Sequence, residues 1–237
     1  MLPLRDRNPS GITPWVVYGI IVINVLVFMG EASMSEEGLN ALTARFGLVP
    51  AEVTQAVTGK GSLLQALIVP MLTSMFLHGG WLHLLGNMWF LYIFADNVEG
   101  RLGRGSFALF YVLCGVVALA TEYLLRPNSP LPVIGASGAI AGVLGAYVVC
   151  WPKARVLCLV PFFYFLHFVE LPAVIALGMW FLIQFLQGAA SLGAPFAHGG
   201  VAYGAHVGGF VAGIILIKVW PHSERPQRPR SYNRWSY

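Results

Sequence analysis

Gly135-Ala136-Ser137-Gly138-Ala139-Ile140-Ala141-Gly142 places one serine among glycines and alanines, at the head of an apolar run that reaches Cys150. Serine in such company can simply pack closely and bond its own backbone. A second stretch, Ala205-His206-Val207-Gly208-Gly209, repeats the pattern near the C-terminus with a histidine in place of the serine. Two residue types able to act as nucleophile and base, each in a charge-free run flanked by glycine, ask for one explanation.

The surroundings are those of a membrane protein. Of 237 residues, 57% are hydrophobic and only 10% charged, with a mean hydropathy of +0.71. Such a composition excludes an ordinary water-soluble domain. The net charge of +4 does not call for a nucleic-acid partner, because in a membrane protein the placement of the charges matters more than their sum. Cys114, Cys150 and Cys158 have no metal-ligand spacing. Cys114 reads as core filler and the other two as reduced thiols near the cytoplasmic side.

About 20 mainly apolar residues are needed to cross the hydrocarbon core, and the uncharged runs locate six spans. The fold class expected is an all-α integral membrane bundle. The spans fall near 13–30, 81–96, 106–125, 133–151, 172–186 and 201–220. Residues 1–12 read as a cytoplasmic segment, 13–220 as one membrane domain and 221–237 as a basic, Pro-rich disordered tail. Between the first two spans, residues 31–60 read as a loop with short interfacial helices, and residues 63–77 as lying against or dipping into the membrane. The apolar stretch 156–169 is too short to cross and reads as an interfacial loop. Arg5, Arg7, Arg101, Arg104, Lys153, Arg155, Lys218 and the arginines of the tail fall on one side of this arrangement. Only Arg45, Lys60 and Arg126 fall on the other. The rich side should be cytoplasmic, with both termini on it. No internal repeat suggests a transporter built from duplicated halves.

Depth tests the pairing of serine and histidine. At 1.5 Å per residue, Ser137 lies roughly 6 Å and His206 roughly 8 Å below the outer ends of their spans. His83 and Asn87, spaced i,i+4 and so on one helix face, lie at roughly 3 to 9 Å. Polar groups at such a level are costly unless paired. Gly138 with Gly142, and Gly209 with Gly213, form small-residue faces that would let two helices approach closely. Helix packing without chemistry remains the competing explanation, though packing requires neither histidine nor Asn87.

A serine needs an adjacent base to become a nucleophile. His206 can take the Ser137 proton and return it to a leaving amine. The Ser137 N–H, the Asn87 amide and the His83 ring N–H can serve an oxyanion, with Gly135 and Gly138 flanking the nucleophile in that binding site. No carboxylate completes a triad: Glu122 has no motif linking it to His206. A Ser–His dyad with an imidazole oriented by packing is therefore expected. No cofactor or metal is called for, since H-E-x-x-H does not occur.

Together, His78-Gly79-Gly80-Trp81-Leu82-His83-Leu84-Leu85-Gly86-Asn87-Met88, Gly135-Ala136-Ser137-Gly138 and Ala205-His206-Val207-Gly208-Gly209-Phe210 resemble the motifs of the rhomboid family of intramembrane serine proteases. Glu99 and Arg101 before Leu102-Gly103 resemble the turn after the second helix of that family. The resemblance covers roughly Trp15 to Trp220. It implies Ser137 as nucleophile, His206 as base, and His83 with Asn87 at the oxyanion. It also implies transmembrane protein substrates cut in or near their spans, and a side-gate role for the helix at 172–186. Two features depart from the pattern: Ala141 stands where some members carry an aromatic that stacks on the histidine, and Val69-Pro70-Met71-Leu72 stands where many carry a Trp-Arg pair. A noncatalytic relative that binds membrane clients without cutting them is the alternative.

His78 is expected near the mouth of the site, and His198 as a surface histidine above the level of Ser137. Trp180, Phe181 and Gln184 read as ordinary core or lipid-facing residues. Compact loops and an N-terminus unlike a transit peptide lead to the expectation of a prokaryotic plasma membrane.

Overall fold

A computed structural model describes residues 1–162, 165–191 and 201–220. The chain is mostly helical. In order, the elements are β1 (Leu2–Asp6), α1 (Trp15–Ala32), α2 (Glu36–Phe46), α3 (Pro50–Val57), a π-helical turn (Leu64–Ile68), α4 (Val69–Thr73) and a 3-10 turn (Ser74–Phe76). There follow α5 (Trp81–Leu102), α6 (Arg104–Leu125), α7 (Ser137–Cys150), β2 (Arg155–Phe162), β3 (Phe165–Pro172), α8 (Ala173–Ser191) and α9 (Tyr203–Val219). Among the described residues, α1, α6 and α8 are long and apolar enough to cross a membrane. The segment Leu64–Phe76 meets α5 at 81°, and together they would make a fourth crossing or a re-entrant loop. The helices α7 and α9 are apolar but shorter.

Burial explains why short helices suffice at the centre. Every residue from Gly138 to Tyr147 is buried, so α7 is surrounded by protein rather than by lipid. It packs against α9, α6 and α5. A Cβ on Gly209 would strike the Gly138 carbonyl, and one on Gly213 the Gly142 carbonyl. The two small-residue faces therefore meet directly, backbone on backbone.

The expectation of an all-α fold needs correction. The order β1-β2-β3 makes a three-stranded antiparallel sheet, with Leu2 opposite Leu159 and Cys158 opposite Val169. The stretch read as an interfacial loop is rich in Val, Leu and Phe, residues suited to strands, and it folds back as a hairpin. Residues 1–12, read as a cytoplasmic segment, contain a strand. β1 forms the outer strand, and its Pro3 carbonyl accepts the Trp89 indole N–H at 2.7 Å. Arg7 pairs with Glu170 of β3 at 2.5 Å.

Boundaries moved where special residues set them. α5 runs on to Leu102 and ends at Gly103, whose φ of +82° suits glycine. Its Glu99, fully buried, accepts the Val16 and Val17 N–H groups at 3.2 and 2.9 Å. The carboxylate thus serves unpaired donors at the start of α1. α7 begins at Ser137 rather than near Val133, because Val133 is extended and bridges Leu48. The tail at 221–237 and His198 lie outside the described residues.

Candidate active site

Ser137 opens α7. Its position in the first turn leaves its backbone N–H without an intrahelical acceptor. The preceding loop reaches it through Gly135, whose φ is +117° and whose N–H donates to the Ser74 carbonyl at 2.8 Å. A Cβ on Gly135 would sit 2.7 Å from His83 Nε2 and 3.6 Å from Asn87 Nδ2. Only glycine fits there on two counts, backbone conformation and space.

His206 lies one turn into α9. Its Nε2 stands 2.7 Å from Ser137 Oγ. The ring is 8% exposed, enclosed on one side by Trp180 with centroids 5.8 Å apart and planes at 33°. Tyr203 approaches edge-on at 6.4 Å. Ring support that Ala141 cannot give thus comes from α8. The other ring nitrogen, Nδ1, is 2.7 Å from Gln184 Oε1. Trp180 and Gln184, read from the sequence as ordinary, both touch the imidazole; they share a face of α8 by i,i+4 spacing. The mainly apolar α8 carries two glutamines, Gln184 and Gln187; a polar amide at membrane depth needs a partner, but sequence does not say which of the two meets the base.

Glu122 plays a different part from a triad carboxylate. It accepts the Ala205 N–H at 3.1 Å, serving a donor in the first turn of α9 rather than the imidazole.

On the opposite wall, α5 carries His83 and Asn87. The Gly79 N–H approaches His83 Nδ1 at 3.4 Å. Accepting there leaves the His83 ring proton on Nε2, the nitrogen that faces Gly135. Asn87 Nδ2 lies 3.0 Å from His78 Nε2, which engages one amide hydrogen; among the described residues the other makes no hydrogen bond. His78 is not at the mouth of the site but 1% exposed. Its backbone N–H donates to the Glu31 carboxylate at 3.2 and 3.3 Å.

These walls enclose a cavity of about 330 Å³ whose lining includes His83, Asn87, Ser137, Trp180, Gln184 and His206. Gly86 and Phe90 of α5 continue it between α5 and α8. Gly138 lies behind the serine, where a Cβ would meet that of Ala118 at 2.6 Å. Of the residues singled out from sequence, Ser137, His206, His83 and Asn87 converge on one cavity, Gly135 packs against the His83 and Asn87 side chains, and Gly138 packs behind the serine on the α6 side. A hydroxyl bonded to an imidazole, facing side-chain donors across a cavity, can perform acyl transfer.

A family model described as a rhomboid domain matches residues 65–221. The presenilin-associated rhomboid-like protein, mitochondrial, of Homo sapiens is 31% identical over 223 residues, 90% of this chain and 54% of that protein. Rhomboid-like protein 11, chloroplastic, of Arabidopsis thaliana is 31% identical over 167 residues, 65% of this chain and 52% of that protein. The putative rhomboid protease YdcA of Bacillus subtilis (strain 168) is 37% identical over 78 residues, 33% of this chain and 39% of that protein. The chain spans about half the length of the mitochondrial and chloroplastic relatives. Their names refer to organelles and so lend no support to a prokaryotic plasma membrane; what this chain itself shows is a set of membrane-type helices.

Proposed function

The chain belongs to the rhomboid family, and we propose that it is an intramembrane serine endopeptidase acting on transmembrane protein substrates. The observation that carries this reading is the 2.7 Å approach of Ser137 Oγ to His206 Nε2 inside a shared cavity. His206 accepts the Ser137 proton as Oγ attacks the scissile carbonyl carbon. The carbonyl oxygen becomes an oxyanion bound by the Ser137 N–H, the second Asn87 amide hydrogen and the His83 Nε2–H. His206 then protonates the leaving amine, and the C–N bond breaks to give an acyl-enzyme. Water, deprotonated by the same imidazole, hydrolyses the ester and restores the serine.

The topology that fits this chemistry has six crossings, with α7 and α9 as the two short inner ones and both termini cytoplasmic, within one membrane domain at 13–220. The Lys and Arg asymmetry supports it. Single cysteines at Glu36 and Arg228 should label from opposite sides of the membrane; equal labelling of both from outside would refute the arrangement.

Purified chain reconstituted in lipid vesicles should cleave a single-span substrate, and a fluorophosphonate should block cleavage by forming a Ser137 adduct. A protein that binds such clients without cutting them would show neither cleavage nor adduct.

A further inference from the structure

The imidazole of His206 is held from both ends. Nε2 lies 2.7 Å from Ser137 Oγ and Nδ1 lies 2.7 Å from Gln184 Oε1. We propose that Gln184 is a positioning residue of the dyad: its carbonyl oxygen accepts the Nδ1–H of His206 and so keeps the Nε2 lone pair directed at the serine hydroxyl. This inference deepens the protease reading and rests on it.

A neutral imidazole carries one ring proton, on either nitrogen. With the proton on Nδ1, Nε2 is an acceptor and can take the serine proton. With it on Nε2, the ring offers Ser137 a donor and no base. The orientation of the Gln184 amide chooses between the two. Its oxygen toward Nδ1 selects the productive tautomer, whereas its NH2 group in that place would select the other. In a serine protease triad a carboxylate makes this choice. Among the described residues the candidate carboxylate, Glu122, is engaged with the Ala205 N–H instead. A glutamine accomplishes the same orientation with no buried charge, which suits a site within a bilayer where an ionised side chain is costly.

Local packing supports a fixed bond. Trp180, one turn before Gln184 on α8, lies over the ring at 5.8 Å. Ring plane and ring edge are thereby set by two side chains of the same helix face. Gln184 also gains by the contact, because an unpaired amide in an apolar helix is unfavourable.

Two variants and one spectroscopic measurement test the assignment. Gln184→Met keeps the length and removes the acceptor, and Gln184→Glu keeps an acceptor oxygen. Fluorophosphonate labelling of Ser137 should slow roughly 10- to 100-fold in Gln184→Met, part of what a positioned base supplies, and most of that loss should be recovered in Gln184→Glu. The imidazole 15N resonances of His206, assigned by their disappearance in His206→Ala, should show a protonated Nδ1 in the wild type and a shift toward protonated Nε2 in Gln184→Met. The His78 and His83 resonances should stay in place and report an intact fold. Labelling of Gln184→Met at the wild-type rate with Nδ1 still protonated would overturn the proposal, as would a Glu variant no faster than Met. A wild type that is never labelled would overturn the protease reading, while the tautomer measurement would still decide the role of Gln184.

Discussion

Ser137 Oγ and His206 Nε2 stand 2.7 Å apart although 69 residues separate them in the chain. The distance is maintained by α7 and α9, whose backbones touch where Gly209 meets the Gly138 carbonyl and Gly213 meets the Gly142 carbonyl. A hydrogen bond of that length survives only if neither helix slides or rotates, and two glycine contacts one turn apart restrict both motions.

Removing either member of the pair should abolish cleavage without unfolding the protein. Ser137→Ala deletes the nucleophile and fits the small-residue environment. His206→Ala leaves the hydroxyl protonated. Each should lower turnover by on the order of 10⁴-fold or more, and the double variant should be no worse than the singles, because the two residues act as one unit. Additive losses in a cleavage assay would mean that they act separately.

Asn87→Ala and His83→Ala should each reduce kcat by roughly 10- to 1000-fold, the range expected when one oxyanion donor is lost. Both variants should still form the fluorophosphonate adduct, slowly, since Ser137 and His206 are untouched. Wild-type turnover in both would assign the oxyanion to the backbone N–H alone.

Gly213→Leu should break the α7–α9 contact. The added side chain meets the Gly142 carbonyl and Cα, which belong to a buried backbone that cannot move aside cheaply. A destabilisation of about 3 kcal/mol or more is expected for such overpacking, read as a lower midpoint of thermal unfolding in detergent. Gly178→Leu, at an α8 position where nothing lies within 4 Å of a new Cβ, is the control and should leave the midpoint near that of the wild type.

A pH dependence should arise at the other end of the molecule. Burial pushes the Asp6 carboxyl up to about 6, offset in part by hydrogen bonds from Tyr147 and the Asn8 N–H, with the charge of Asp96 nearby acting in the same direction as burial. The folded state therefore binds this proton more tightly than the unfolded chain. The stabilisation is fully present below pH 4 and is lost as pH rises through about 6. Asp6→Asn should remove this component, so the difference in unfolding midpoint between wild type and variant should change between pH 4 and 6 and level off above. A constant difference across that window would show that Asp6 does not titrate in the folded state as described.

Sequence alone was enough to identify a membrane protein and a family, because apolar runs, Gly-flanked serine and histidine, and the His83–Asn87 pair are local patterns. Helix periodicity placed His83 beside Asn87, and depth counting put Ser137 and His206 at similar levels. Local pattern also misled. The hairpin at β2 and β3 looked like a loop because its apolar run was weighed only against the length of a membrane span; its strands are adjacent in the chain, while the third strand of the sheet, β1, lies far away at residues 2–6. The helix start at Ser137 was set by the Val133–Leu48 bridge and the turn at Gly135, features that no helix pattern in the 133–151 run contains.

The orientation of the imidazole was decided only in three dimensions. Gln184 lies 22 residues before His206, across a segment whose length fixes no register between α8 and α9. Nothing in the chain distinguishes a glutamine facing lipid from one facing the base. Which side of α8 turns inward depends on how Trp180 and Phe181 pack on Phe210 of α9, a matter of shape complementarity between side chains on separate helices. Sequence spacing determines which residues share a helix face; only packing determines what that face meets.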